Sequence, residues 1–123
     1  MKIFSRGYIR FALIGWTGTI LFLLLGKSDG SESWIHLIPY HDKIAHFGIF
    51  FIWAALLFLS IFSLERVKKA MLSSFAAIVA FAALTEILQL FVEGRSADPA
   101  DFAADLAGGL SAVFLTKFWK MKQ

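Results

Sequence analysis

Four apolar stretches, each close to the length of a membrane crossing, constrain this chain more than any other feature. They run over about residues 8–25, 44–64, 70–92 and 102–119. A helix rising 1.5 Å per residue needs about 20 residues to cross a hydrocarbon layer of about 30 Å. The stretches lack period-two alternation, so they do not read as barrel strands, and in lipid only helices and closed barrels satisfy their own backbones. The chain is 59% hydrophobic and 17% charged, against about 45–50% and 25% in soluble domains. Its mean hydropathy is +0.72. A chain of 123 residues cannot hide that much apolar surface inside one globule. The absence of cysteine excludes a disulfide-stapled module, thiolate zinc sites and a cysteine nucleophile. The expected fold is an all-α integral membrane protein: one domain over residues 1–123, a four-transmembrane-helix bundle that is multi-pass in the lipid bilayer.

The flanking charges predict its orientation. Lys2, Arg6 and Arg10 precede the first stretch, Arg66, Lys68 and Lys69 lie between the second and third, and Lys117, Lys120 and Lys122 close the fourth. These are nine of the twelve basic residues, and the positive-inside rule then places both termini in the cytoplasm. Of the nine acids, only Glu65 falls on that inner side. The basic charge therefore reads as topology, and nucleic acid is not an expected partner, since the cations flank spans instead of forming one stripe. No small-x-small cleavage site follows Leu25, so the first stretch is expected to be a retained span and not a signal peptide. The row Ala104, Gly108, Ala112 suits close helix packing, within the chain first and as an oligomer face second. In the third span, Ala76, Ala80 and Leu84 are expected to share such a face. Trp34 to Ile38 is an apolar patch suited to the outer headgroup layer.

Ionisable groups inside spans are costly and usually have both a partner and a task. Three sets stand at the expected outer side. Asp42 and His46 are one helical turn apart, with Lys43 between them; Asp42 also reads as an N-cap. Glu86 and Gln89, three apart, share a face near the end of the third span, and Glu86 also reads as a structural ion pair. Asp98-Pro99 reads as an N-cap with proline at the first helical position and Asp101 in the capping-box place. Asp101 and Asp105 share a face, and Asp105 lies beyond capping reach. Arg95, the outer side's only arginine, is the expected counter-ion of these acids or a phosphate clamp. Antiparallel helices would bring all three sets into one outer pocket. Asp42, His46 and Glu86 are the candidate acid–base residues. Lys43, Gln89, Arg95, Asp98, Asp101 and Asp105 are the candidate binding residues. His46, Glu86, Asp101 and Asp105 are the candidate ligands of a divalent metal, a donor set suited to Mg²⁺ or Mn²⁺ and less to Zn²⁺.

The order Asp42-Lys43-x-x-His46-Phe47, Glu86-x-x-Gln89, Gly94-Arg95-Ser96, Asp101-x-x-x-Asp105-x-x-Gly108 resembles the VanZ-like family, small bacterial membrane proteins named for an accessory protein of glycopeptide-resistance clusters. The likeness covers about residues 40–112 and the four-span plan. The family frequently carries Asn where this chain has Asp105. The resemblance implies a bacterial cytoplasmic (inner) membrane protein of the cell envelope with a role in teicoplanin-type antibiotic resistance. The expected function is binding or modifying an envelope lipid, a lipid-linked precursor or a glycopeptide. A second reading is an intramembrane hydrolase or transferase with an Asp/His/Glu site, although His-Glu-x-x-His, Gly-x-Ser-x-Gly and phosphate-loop motifs are absent. A third, a small proton-coupled transporter, rests on Glu86 alone.

Overall fold

A computed structural model describes residues 5–26 and 37–123. Most of the expected headgroup patch lies outside the described residues; of it, Leu37 and Ile38 are described, and both are exposed. The described residues form no strand. Helix α1 spans Arg6–Leu25, α2 His41–Ile61, α3 Val67–Gln89 and α4 Pro99–Met121, with a 3-10 turn, Leu64–Arg66, leading into α3. The segments through Leu25, Ile61 and Gln89 are long and apolar enough to cross a membrane. Helix α4 is as long as α3, at 23 residues each, but Asp101 and Asp105 make its first half less apolar.

The helix ends differ from expectation in two informative places. Asp42 does not cap α2. The N-cap is Tyr40, in the left-handed conformation at φ 58° and without a side-chain cap, and Asp42 sits in the first turn. There its charge faces the positive end of the helix dipole. Helix α3 stops at Gln89 and not near Val92. The N–H groups of Leu90, Phe91 and Val92 fold back onto the carbonyls of Ile87, Leu88 and Gln89 at 3.1–3.2 Å, tightening the last turn. The Arg95 N–H then closes a turn on the Val92 carbonyl at 3.1 Å. Gly94 sits inside that turn at φ 78°, a conformation a side chain would strain. Glu86 consequently lies three residues from the helix end, about 4.5 Å of helical rise.

Helix α4 packs most extensively on α2, and two adjacent glycines explain how. A Cβ on Gly108 would lie 2.2 Å from the backbone oxygen of Phe47, so no side chain fits between these helices. A Cβ on Gly109 would meet Ile78 of α3 at 2.7 Å. One glycine thus lets α4 approach α2 and the next lets it approach α3, the close-approach device of helices in lipid. Gly108 and Ala112 are buried inside the chain, so the small-residue row works within one molecule. In α3 the buried face is Ala70, Ser74, Ile78 and Ala82; Ala76, Ala80 and Leu84, expected to pack, are exposed.

The core is Phe50, Trp53, Ala54 and Phe58 of α2 against Ile20, Ile78, Ala82 and Val113. Phe81 stacks on Trp53 with ring centroids 4.7 Å apart. The two deep tryptophans tie α1 to α2: Trp16 Nε1 donates to the Ile49 carbonyl and Trp53 Nε1 to Thr17 Oγ1, both at 2.9 Å. Indole N–H groups need such partners where no water reaches. Outward, Phe11, Phe22, Leu72, Leu115 and Phe118 remain exposed, an apolar shell suited to lipid.

Gly108→Ala is expected to destabilise the bundle by about 1–3 kcal/mol through overpacking against a backbone that cannot yield. Gly15→Ala, whose added Cβ meets nothing within 4 Å, should not. Thermal melts of the two detergent-solubilised variants, followed by circular dichroism, check this.

Candidate functional site

The N-termini of α2 and α4 and the C-terminus of α3 meet at one end of the bundle, and seven of the nine singled-out residues meet there with them. The arrangement is built from the surface inward. The Asp98 side chain accepts from the Ala100 N–H at 2.8 Å, with Pro99 at the first helical position, which confirms it as the cap of α4. The reciprocal half of the capping box is not supplied by Asp101. Instead Glu86 Oε2, from α3, accepts from the Asp98 N–H at 2.9 Å. A capping box uses Glu or Gln at the third position, and the aspartate found there is one methylene shorter and is drawn elsewhere. Glu86 thereby pins the end of α3 to the start of α4.

Lys43 is the hub of the outer layer. Its ammonium donates to Asp42 Oδ2 at 2.7 Å and to Asp98 Oδ2 at 2.6 Å. It also lies 2.8 Å from Asp101 Oδ1, an ion contact made off the hydrogen-bond axis. The ammonium beside it holds the Asp98 carboxyl below the ordinary aspartate range, helped by the Ala100 N–H. Three carboxylates around one ammonium offset its charge, which weakens the pull of Lys43 on an incoming anion.

Beneath this layer the groups are nearly dry. His46 Nδ1 pairs with Asp105 Oδ1 at 2.8 Å, and His46 Nε2 lies 3.5 Å from Asp101 Oδ2. The side chain of Asp105 is wholly buried and that of His46 6% exposed. A carboxylate accepts only, so the Asp105 contact places a proton on Nδ1 and leaves Nε2 turned toward Asp101. Three buried carboxylate oxygens, Glu86 Oε1, Asp101 Oδ1 and Asp105 Oδ2, have no hydrogen-bond partner. This layer depends on Gly108, one turn beyond Asp105, because the α2–α4 approach it permits brings His46 and Asp105 into contact.

One donor atom each from His46, Glu86 and Asp101 lie within 4.8 Å of one another, the spacing of a cation site. Asp42, Asp98 and Asp101 form a second such group, but there the Lys43 ammonium already stands in the cation's place. Chemically, the deeper layer offers a fixed imidazole with one open nitrogen and two carboxylates.

Two of the nine residues belong elsewhere. Arg95, expected as counter-ion or phosphate clamp, makes no ion pair with these acids. Its Nε donates to the Gly26 carbonyl at 3.0 Å and its Nη2 to the Leu23 carbonyl at 3.3 Å. Gln89 parts from Glu86 and donates to the Leu24 carbonyl at 3.1 Å. Together they satisfy the open carbonyls at the C-terminus of α1, where a cation also suits the helix dipole. The polar groups of the centre pack on one another. A cavity of about 490 Å³, lined in part by Arg6, Ser63, Arg66 and Lys69, lies at the opposite end of the bundle.

Fold and site together define an all-α membrane-type protein with a buried acid–histidine centre at one end of its bundle. The VanZ/LLP1 family profile matches residues 9–120, and the chain belongs to that family. No curated protein and no solved structure matches it.

Arg95→Ala is expected to free the end of α1 at a cost of about 1.5–3 kcal/mol, the range for hydrogen bonds to a charged group. Hydrogen exchange should rise in the last turn of α1 and stay unchanged around His46 and Asp105.

Proposed function

We propose that this VanZ-family protein sits in the bacterial cytoplasmic membrane and binds or modifies the polar head of an envelope lipid, a lipid-linked precursor or a lipid-tailed glycopeptide. The centre at the starts of α2 and α4 would do this from the outer face. The observation that carries the reading is the dry His46–Asp105–Asp101 arrangement, roofed by the partly exposed Lys43, Asp42 and Asp98. Ionisable groups at such depth usually serve function. In this reading all four helices form one domain that crosses the bilayer. The acids of α4 face α2, while Phe114, Leu115 and Phe118 face outward. Both termini lie in the cytoplasm, which the flanking cations favour, and the centre then faces outward. The capture of Arg95 by α1 and of Lys43 by three acids turns the recognition chemistry away from direct anion binding and toward the imidazole and carboxylates.

A second reading has one observation in its favour. A buried carboxylate on Nδ1 that leaves Nε2 open is how a general-base histidine is oriented. In a hydrolase or transferase, His46 would take a proton from water or a hydroxyl group of the substrate, with Asp105 holding the ring. The transporter reading loses its ground, since Glu86 lies in the last turn of α3 and joins the cap of α4.

In a susceptible bacterium, the wild-type protein should raise the teicoplanin concentration needed for growth inhibition. His46→Gln and Asp105→Asn, at equal membrane abundance, should remove most of that increase. Variants as protective as the wild type would overturn the proposal.

A further inference from the structure

We propose that His46, Glu86 and Asp101 bind one divalent transition-metal ion of the Mn²⁺ or Zn²⁺ type, with Asp105 as the positioning residue that holds the imidazole. This deepens the functional reading above, from which it takes the location of the site; it also requires that the centre be filled by a cation before any lipid arrives.

Three observations carry it. The first is the set of atoms left over once internal contacts are assigned. Glu86 spends Oε2 on the Asp98 N–H, and its Oε1 has no partner although the residue is only 8% exposed. Asp101 turns Oδ1 to Lys43 and leaves Oδ2 to face His46. His46 spends Nδ1 on Asp105, which leaves Nε2. Each residue thus keeps one unused donor atom, and the three residues meet the spacing of a cation site.

The second is the approach of His46 Nε2 to Asp101 Oδ2 at 3.5 Å. With a proton on Nδ1, this sets Nε2 against a carboxylate oxygen, a pairing completed by positive charge between them, whether a second ring proton or a metal ion. Ligand atoms about 2.1 Å from a tetrahedral ion stand about 3.4 Å apart. The observed separation therefore meets the requirement without movement of either side chain.

The third is the outer arrangement. A metal-bound histidine nearly always donates its second ring N–H to a carboxylate or carbonyl, which fixes its tautomer and orientation. Asp105 fills that place at 2.8 Å and is itself fully buried. An imidazole among the ligands favours a transition ion over Ca²⁺ or Mg²⁺. Three protein ligands leave a fourth position open, where a phosphate or carboxylate oxygen of an envelope molecule would bind. This would give an acid-rich centre an affinity for anionic headgroups that neither Lys43 nor Arg95 is free to supply.

The test uses the full-length protein in detergent, delipidated and treated with chelator, titrated with Mn²⁺ and followed by electron paramagnetic resonance, with Zn²⁺ as competitor. Saturable binding of one ion per chain is expected, displaced by Zn²⁺ and showing nitrogen coupling from one imidazole. Glu86→Gln should weaken it at least about 10-fold, and Asp105→Asn by about 10–100-fold, as for other outer-shell carboxylates. Arg95→Gln should leave it unchanged. No saturable binding, no nitrogen coupling in the wild type, or unaltered affinity in Glu86→Gln would overturn the metal site. The nitrogen signal is read on the wild type, so the result does not depend on a His46 variant folding. No envelope molecule enters the titration. Loss of metal binding with resistance retained would sink the metal alone, and bound metal with no resistance phenotype would sink the functional reading alone.

Discussion

The contact on which the rest depends is the approach of α2 to α4 at Gly108. Backbone meets backbone there, with no room for a single methyl group. In lipid there is no hydrophobic drive between helices, so close packing and interhelical polar contacts must hold the bundle. The Gly108 approach supplies the first and enables the second, since His46 and Asp105 lie one residue and one turn away from the point of contact. A wider separation would leave both buried without a partner, a condition costly in a region without water.

The same economy governs the ends of the helices. Two helix ends are completed by residues from another part of the chain. Glu86 completes the cap of α4, and Arg95 and Gln89 close α1. The starts of α2 and α4 place Asp42 and Asp101 at the positive ends of two dipoles, which eases the crowding of acids. Lys43 then offsets the outer charges while Asp105 stays beneath them. The result is graded from wet to dry: the Asp42 side chain is 47% exposed, that of Lys43 26%, that of Asp101 12% and that of Asp105 fully buried. Such a gradient leads from the exposed end of the bundle to the His46 imidazole.

A polar residue's structural partner is legible in the sequence where the element's own pattern supplies it, and not where the partner comes from a distant helix. Asp98-Pro99 could be read as a cap because capping is local. Asp105 could be read as unusual because it stands beyond capping reach in an apolar run. Arg95 looked like the counter-ion of nearby acids because sequence distance brings them together, yet the Gly94 turn carries it to the end of α1, and Lys43 from α2 takes the acids. The Ala76–Ala80–Leu84 face is exposed for another reason. Helix α3 is apolar around most of its circumference, so two small-residue rows compete and periodicity does not choose between them.

Length, hydropathy and flanking charge therefore determine by themselves that the chain is helical, apolar on most faces and richer in acids at one end. They do so because helix length and backbone satisfaction in lipid are local constraints. The ordered motif also carries the family. Which residues share a centre, which merely close a helix, and which face of each helix is buried were decided only by tertiary structure. Those outcomes depend on helix rotation and on approach distances set by glycines whose neighbours are far away in the chain.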